Sequence, residues 1–154
     1  MSRLLHTETV IAAPAEGVWS ILADFAAYPN WNPFIPRISG DLEVGAELVV
    51  ELAPPGGRAM TIRPTVREVQ PGRILRWLGR LGLPGLFDGE HSFQIEPLGE
   101  GQVRFVQSER FSGVLVPLVM KFIGASTQQG FEAMNQALKE RSEAMAANSS
   151  VQSA

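Results

Sequence analysis

Val114-Leu-Val-Pro-Leu-Val-Met-Lys-Phe-Ile-Gly-Ala-Ser-Thr-Gln-Gln-Gly-Phe-Glu-Ala-Met-Asn-Gln-Ala-Leu-Lys-Glu-Arg141 is the longest stretch of the chain with a helical period. Met120, Ile123, Thr127, Phe131, Met134 and Leu138 recur at steps of three and four, which lays them on one helix face. Gln128, Glu132, Gln136, Lys139 and Arg141 take the opposite face. Pro117 suits a first helical turn, where a missing N–H costs nothing. The pattern predicts a helix from about Val114 to Ala147, roughly 45 Å long at 1.5 Å per residue. Such a helix needs an apolar surface to lie on. The rest of the chain reads mostly as strands, so that surface is a sheet. What lies between helix and sheet is the functional question.

Working backward, Gln102 to Ser112 and Phe87 to Pro97 alternate in character around Gly99-Glu-Gly101, which predicts a hairpin. Arg73 to Gly79 precedes it, across the apolar turn Leu81-Gly-Leu-Pro-Gly-Leu86. Met60 to Arg67, Glu47 to Ala53 and Ile35 to Asp41 read as three further strands, and Leu4 to Ala12 as the first. Pro14 opens a short helix that turns Val18, Ile21 and Leu22 inward, and Pro29 and Pro33 limit the next segment to a short helix or turn. The expected class is α+β: a curved antiparallel sheet of about seven strands around the long helix, with two short helices between strands one and two. Residues 1–147 form one domain and 148–154 a small, polar tail that is expected to fray.

Composition narrows the function. The chain has 154 residues, a net charge of −3 and no basic run, which argues against nucleic acid. It has no cysteine, so disulfides, thiolate metal sites and cysteine nucleophiles are excluded, and a reducing cytoplasm is the expected compartment. With two histidines, His6 and His91, a histidine-rich metal site is not expected. No phosphate loop or nucleophile motif is visible, and no cofactor is implied. Val114 to Ala125, broken by Lys121, is too short to span a bilayer. Between a membrane-surface role and a buried helix start, the buried start is the ordinary reading.

Ala13-Pro14-Ala-Glu-Gly-Val18-Trp19, then Asp24-Phe25 with Tyr28-Pro29-Asn-Trp31-Asn32-Pro33-Phe34, and finally Phe131-Glu-Ala-Met-Asn135-Gln-Ala-Leu138-Lys139 together carry a resemblance. On these residues the chain resembles the START/Bet v1-like superfamily, and within it the bacterial polyketide cyclase/dehydrase-like and lipid-transport-like proteins. The resemblance implies a helix-grip fold with a cavity between sheet and helix. It implies a small apolar ligand such as a lipid, sterol, quinone or aromatic polyketide, with enzymes and chaperone helpers among the members. These motifs speak to fold more than to function.

Alternation assigns faces on the last three strands. A hairpin centred on Glu100 sets His91 opposite Glu109 and Phe93 opposite Gln107. A turn centred near Pro84 sets Trp77 opposite His91. A row Trp77–His91–Glu109 then crosses the inner face. Three readings of these polar groups are open: a satisfied structural pair, a pair that orients a ligand's polar group, or a catalytic acid/base pair, His91 with Glu109. Trp77, Phe93, Phe105, Phe111, Phe122 and Phe131 either line a cavity or fill a core. Trp31 and Phe34 either gate the open end or staple the short helix. Gly124 and Gly130 leave room for a guest or for close approach of the sheet, and Leu81 to Leu86 is a lid or packs on the helix start. The expected ligand-binding set is Trp31, Phe34, Trp77, Phe93, Gln107, Phe111, Phe122 and Phe131. Three functions follow in order: a binding module for a small hydrophobic molecule, a cyclase/dehydrase-type enzyme, and a ligand-free interaction module. The chain is read as a monomer or a homodimer.

Overall fold

The computed structural model describes residues 1–153, with side chains through Ser149. In chain order the elements are β1 (Ser2–Ile11), α1 (Ala15–Ala23), a 3₁₀ turn (Phe25–Asn30), β2 (Arg37–Ser39), β3 (Val49–Leu52) and β4 (Met60–Ile62). There follow β5 (Thr65–Gln70), β6 (Ile74–Arg80), β7 (Asp88–Gly99), β8 (Gln102–Ser112) and α2 (Val116–Ser153). Expectation and structure agree on the α+β class and on the long helix gripped by antiparallel sheet.

The strands form a five-stranded sheet, β1-β8-β7-β6-β5, and a three-stranded sheet, β2-β3-β4, rather than one continuous sheet. The division traces to Pro64. The stretch from Met60 to Arg67 was expected to be one strand. Pro64 has no N–H to give the ladder, so β4 stops before it and β5 starts after it. The Pro64 carbonyl instead accepts from Leu48 N at 2.8 Å, and Val66 N donates to Ala46 O at 2.9 Å, which ties the two sheets together. The hairpin register is as alternation requires: His91 pairs with Glu109, Phe93 with Gln107, and Trp77 with His91. The β7–β8 ladder shifts only at the hairpin tip, between Pro97 and Gly99.

The inner face is apolar and buried. Leu5 and Ile11 of β1, Leu75 and Trp77 of β6, Phe93 and Ile95 of β7, and Val103, Phe105 and Phe111 of β8 all point into it. On the outer face Arg76 bridges to Glu68 at 3.0 Å and to Glu90 at 3.5 Å across three strands. Helix α2 is 38 residues long and lies on the inner face, with Met120, Phe131, Met134 and Leu138 buried. It runs past Ala147. Of the expected tail, residues 148–153 continue the helix and 154 lies outside the described residues. No glycine or proline stands in Asn148-Ser-Ser-Val-Gln-Ser to stop it.

Polar clamps fasten α2 to β1 and the segment after it. Lys139 Nζ donates to Val10 O at 2.7 Å and to Glu143 at 2.8 Å, and Glu143 accepts from Ala12 N at 2.8 Å. The Lys139 hydrogen bond, then that from Ala12, holds the Glu143 carboxyl below the usual carboxylate range. At the other short helix, burial pushes the Tyr28 hydroxyl well above the ordinary phenol range, with the charge of Asp24 adding to the effect. That hydroxyl donates to Leu22 O at 2.5 Å.

Candidate functional site

The site is built where β7, β8 and α2 face one another. His91 points inward from β7 and is buried, with 3 % of its surface exposed. Its Nδ1 meets Glu109 Oε1 at 2.6 Å and its Nε2 meets Gln107 Oε1 at 2.9 Å. The Gln107 amide is oriented by groups on the far side. Its Nε2 donates to Asn135 Oδ1 at 2.8 Å and to the Phe131 carbonyl at 3.4 Å. Asn135 Nδ2 donates to Thr7 Oγ1 at 2.9 Å, and Thr7 Oγ1 donates to the Gln107 carbonyl at 2.8 Å. The two carbonyls can only accept, so they fix the direction of the whole chain and leave Gln107 Oε1 facing His91. Both ring nitrogens of His91 are thus engaged, Nε2 by the Gln107 amide oxygen and Nδ1 by the Glu109 carboxyl group. The network runs from Glu109 through His91, Gln107 and Asn135 to Thr7. It links three strands and α2.

Rings enclose His91. Trp77 stacks on it with centroids 5.3 Å apart and an interplanar angle of 26°. Phe131 meets it edge-on at 4.9 Å, and Phe93 lies tilted at 4.5 Å. Phe93 also contacts Trp77 at 5.2 Å and stacks on Phe105 at 6.2 Å. Of the two readings left open for these rings, burial fits core: Trp77, Phe93, Phe105 and Phe131 are all buried. Phe34 adds to the seal. Asn32 Oδ1 accepts from Phe34 N at 3.0 Å and Ile35 N at 2.8 Å, which turns the Phe34 ring onto α2. There it packs on Phe131 at 5.5 Å and covers Gly130, where a Cβ would collide with it. Gly130 therefore serves close packing. Gly124 is covered by the Arg3 guanidinium, which a Cβ there would meet at 3.5 Å.

Phe122 corrects an expectation. It was assigned to the lining, yet 75 % of it is exposed. Its position explains this: two residues from Met120 is about 200° round the helix, so Phe122 falls off the buried stripe. Trp31 is half-buried beside Tyr28, with ring centroids 5.1 Å apart, and lines a groove between α1 and α2 rather than the space near His91. That groove has a volume of about 370 Å³, and a second, of about 590 Å³, runs along Ala12, Gly17, Ser142 and Ala146. Neither touches the His91 network. Phe111 is buried and stacks on Phe87 at 5.4 Å.

Glu109 differs from its neighbours. Its side chain is 18 % exposed, and only Oε1 is engaged by His91. Oε2 sits over Gly89, where a Cβ would collide with it, and has no hydrogen-bond partner among the described residues. Among the apolar side chains packed against the core, Leu52 and Ile62 of the small sheet and Val119 and Ile123 of α2 are only half-buried. Thr7, Gly89 and Asn135 were not among the expected site residues. Thr7 shares the parity of Leu5 and Ile11, and Asn135 lies four residues after Phe131, so periodicity marks both as inward. Nothing local marks Gly89. Among the described residues no group of three His, Asp or Glu side chains is placed to hold a metal ion.

Residues 3–143 match the family described as polyketide cyclase/dehydrase and lipid transport. No curated protein matches the chain. Among solved structures, an aromatase/cyclase from Streptomyces sp. R1128 is similar with a TM-score of 0.75 at 17% identity, covering 93% of this chain and 94% of that one. Norcoclaurine synthase from Thalictrum flavum, crystallised with a transition-state analogue, is similar at 0.68 and 16% identity, over 91% and 93%. A START superfamily protein from Mycobacterium smegmatis is similar at 0.65 and 23% identity, over 89% and 97%. At these identities the likeness is one of fold.

Proposed function

The chain belongs to the polyketide cyclase/dehydrase and lipid transport family, and from that premise we propose that it binds a small apolar or aromatic molecule bearing a hydroxyl or another hydrogen-bond donor. Membership implies a cavity for a hydrophobic ligand. In our reading the guest enters between α2 and the small sheet, along Leu52, Ile62, Val119 and Ile123, and its donor meets Glu109. One observation carries this: among the described residues, Glu109 Oε2 is the carboxyl oxygen of that network left unengaged, while His91, Gln107, Asn135 and Thr7 are each held by a partner. His91 acts behind it. By taking Oε1 at 2.6 Å it fixes the orientation of the carboxyl group. Trp77 and Phe131 hold the imidazole in place, Gln107 sets its rotation, and Phe93, Phe34 and Phe111 close the apolar floor.

The short His91–Glu109 bond also favours a second reading, in which the same pair does chemistry. Glu109 would take a proton from a phenol, enol or activated C–H of a carbonyl substrate at Oε2, leaving the electron pair on the substrate, and His91 would stabilise the carboxylate before transfer. His91 itself has no nitrogen free to meet a substrate, so it is a positioning residue in either case.

Titration with 1-naphthol and with naphthalene, which differ by one hydroxyl, tests the proposal. Glu109→Gln is expected to weaken 1-naphthol by about 10- to 100-fold, the range for a hydrogen bond to a charged group, and to leave naphthalene unchanged. Equal losses for both probes, or none, overturn the assignment of Glu109. Turnover of an aromatic polyketide-like substrate that falls about 10²- to 10⁴-fold in Glu109→Gln with unchanged affinity supports the second reading.

A further inference from the structure

The β6–β7 loop and the start of α2 form an apolar surface that nothing in the fold covers. Leu81 is 58 % exposed, Leu83 72 %, Val114 71 %, Leu118 58 %, Phe122 75 % and Met1 84 %. They are one surface because the backbone joins them. Val114 N donates to Gly85 O at 3.1 Å, Leu115 N to Leu86 O at 3.0 Å, and Gly113 N to Met1 O at 3.1 Å. Leu118 and Phe122 stand four residues apart, one turn above the other. Large apolar groups clustered this way on a chain with a net charge of −3 call for a partner.

Charge says which partner. Residues 81–87 and 113–131 contain no acidic residue, and their one charge is Lys121. The Arg3 guanidinium lies over Gly124 on the same helix. Neither Arg3 nor Lys121 has an ion-pair partner among the described residues, whereas Arg80 at the edge of the loop is 3.7 Å from Asp88. An apolar tip flanked by two cations, Arg3 and Lys121, that make no ion pair among the described residues, on a chain of net charge −3, complements an anionic lipid surface. Leucine and phenylalanine enter the acyl boundary, and arginine and lysine remain at the headgroups. The surface also adjoins the half-buried end of α2 at Val119 and Ile123, where a hydrophobic guest would pass.

We propose that this loop-and-helix surface docks the protein on anionic membranes, in the plane of the interface. No helix of the described residues is long and apolar enough to cross a membrane. The proposal stands without the ligand assignment, since it rests on the outside of the fold.

Flotation with phosphatidylcholine vesicles, with and without phosphatidylglycerol, tests it. The full chain is expected to float with the phosphatidylglycerol vesicles, and less so as salt shortens the reach of the charges. Lys121→Ala and Arg3→Ala should each weaken binding about fivefold, the effect of one cation near an anionic surface. Leu83→Ser with Phe122→Ser should abolish it and leave naphthalene affinity and melting temperature unchanged. Absence of flotation on either vesicle, or flotation indifferent to these substitutions, overturns the proposal. A dimer in solution that Phe122→Ser converts to monomer, without flotation, also overturns it and assigns the surface to a second copy of the chain. Loss of 1-naphthol binding with flotation intact would sink the ligand reading alone.

Discussion

At the scale of the residue, His91 shows how a polar group is kept in an apolar wall. Removing it orphans two polar groups, the buried Gln107 Oε1 and the part-buried Glu109 Oε1. His91→Phe is therefore expected to cost about 2–4 kcal/mol in urea unfolding, since each unpartnered group costs roughly 1–3 kcal/mol and Glu109 is partly solvated. Glu109→Gln leaves an acceptor for Nδ1 and should cost about 1 kcal/mol or less. Equal losses for the two would mean that the network is not directional. Tyr28 offers a different test. Its folded hydroxyl titrates above the ordinary phenol range. A group raised in this way contributes stability that is fully present below its unfolded value of about 10 and fades as pH rises beyond it. Thermal unfolding followed above that pH should show a downward slope that Tyr28→Phe flattens.

At the scale of the element, α2 divides into a packed stripe and an outward one, and substitution should separate them. Phe131, buried and in contact with His91 and Phe34, should lose about 3–5 kcal/mol on Phe131→Ala. Phe122→Ala, at an exposed position, should stay within about 0.5 kcal/mol. Gly130→Ala opposes two effects. Alanine favours the helix by about 1 kcal/mol, but the new methyl meets a buried ring, and overpacking costs roughly 1–3 kcal/mol. A net loss is expected, and a net gain would show that Phe34 moves freely. The clamp at the other end of the helix is acid-sensitive. The Glu143 carboxyl is lowered, so its contribution is present above its unfolded value and is lost as pH falls through the folded one. The pair is part-exposed, so Glu143→Gln should change stability little in total, but it should reduce the slope on the acid side.

At the scale of the whole molecule, the fold is closed by its ends. β1 pairs with β8 along its full length, Leu5 with Glu109 and Thr7 with Gln107, across some hundred residues of sequence. Lys139 and Glu143 then bind the helix to the close of the same strand and the segment after it. Contacts this distant in sequence form only after long loops close, so folding in milliseconds to seconds is expected in stopped-flow mixing. Microsecond folding would contradict this topology. The long closure also explains which parts of the site were legible. The His91–Glu109 and Phe93–Gln107 pairs belong to one hairpin, whose turn and alternation set the register locally. Thr7 and Asn135 reach Gln107 from opposite ends of the chain, and no local pattern announces that meeting.

By itself the sequence determined period and parity: a long helix with one buried stripe, strands with one buried face, and a row from Trp77 through His91 to Glu109. These follow from backbone geometry, which repeats every 3.6 residues in a helix and every two in a strand. Tertiary structure alone decided what each inward side chain meets. It placed Phe34 over Gly130, put the Glu109 carboxylate over Gly89, and closed the rings around His91 into core. It also left Phe122 and the Leu81–Leu86 loop facing solvent. Periodicity names a face but not the partner across from it. Close packing is settled by shapes arriving from distant segments, where a single methyl group decides whether a space is open or full.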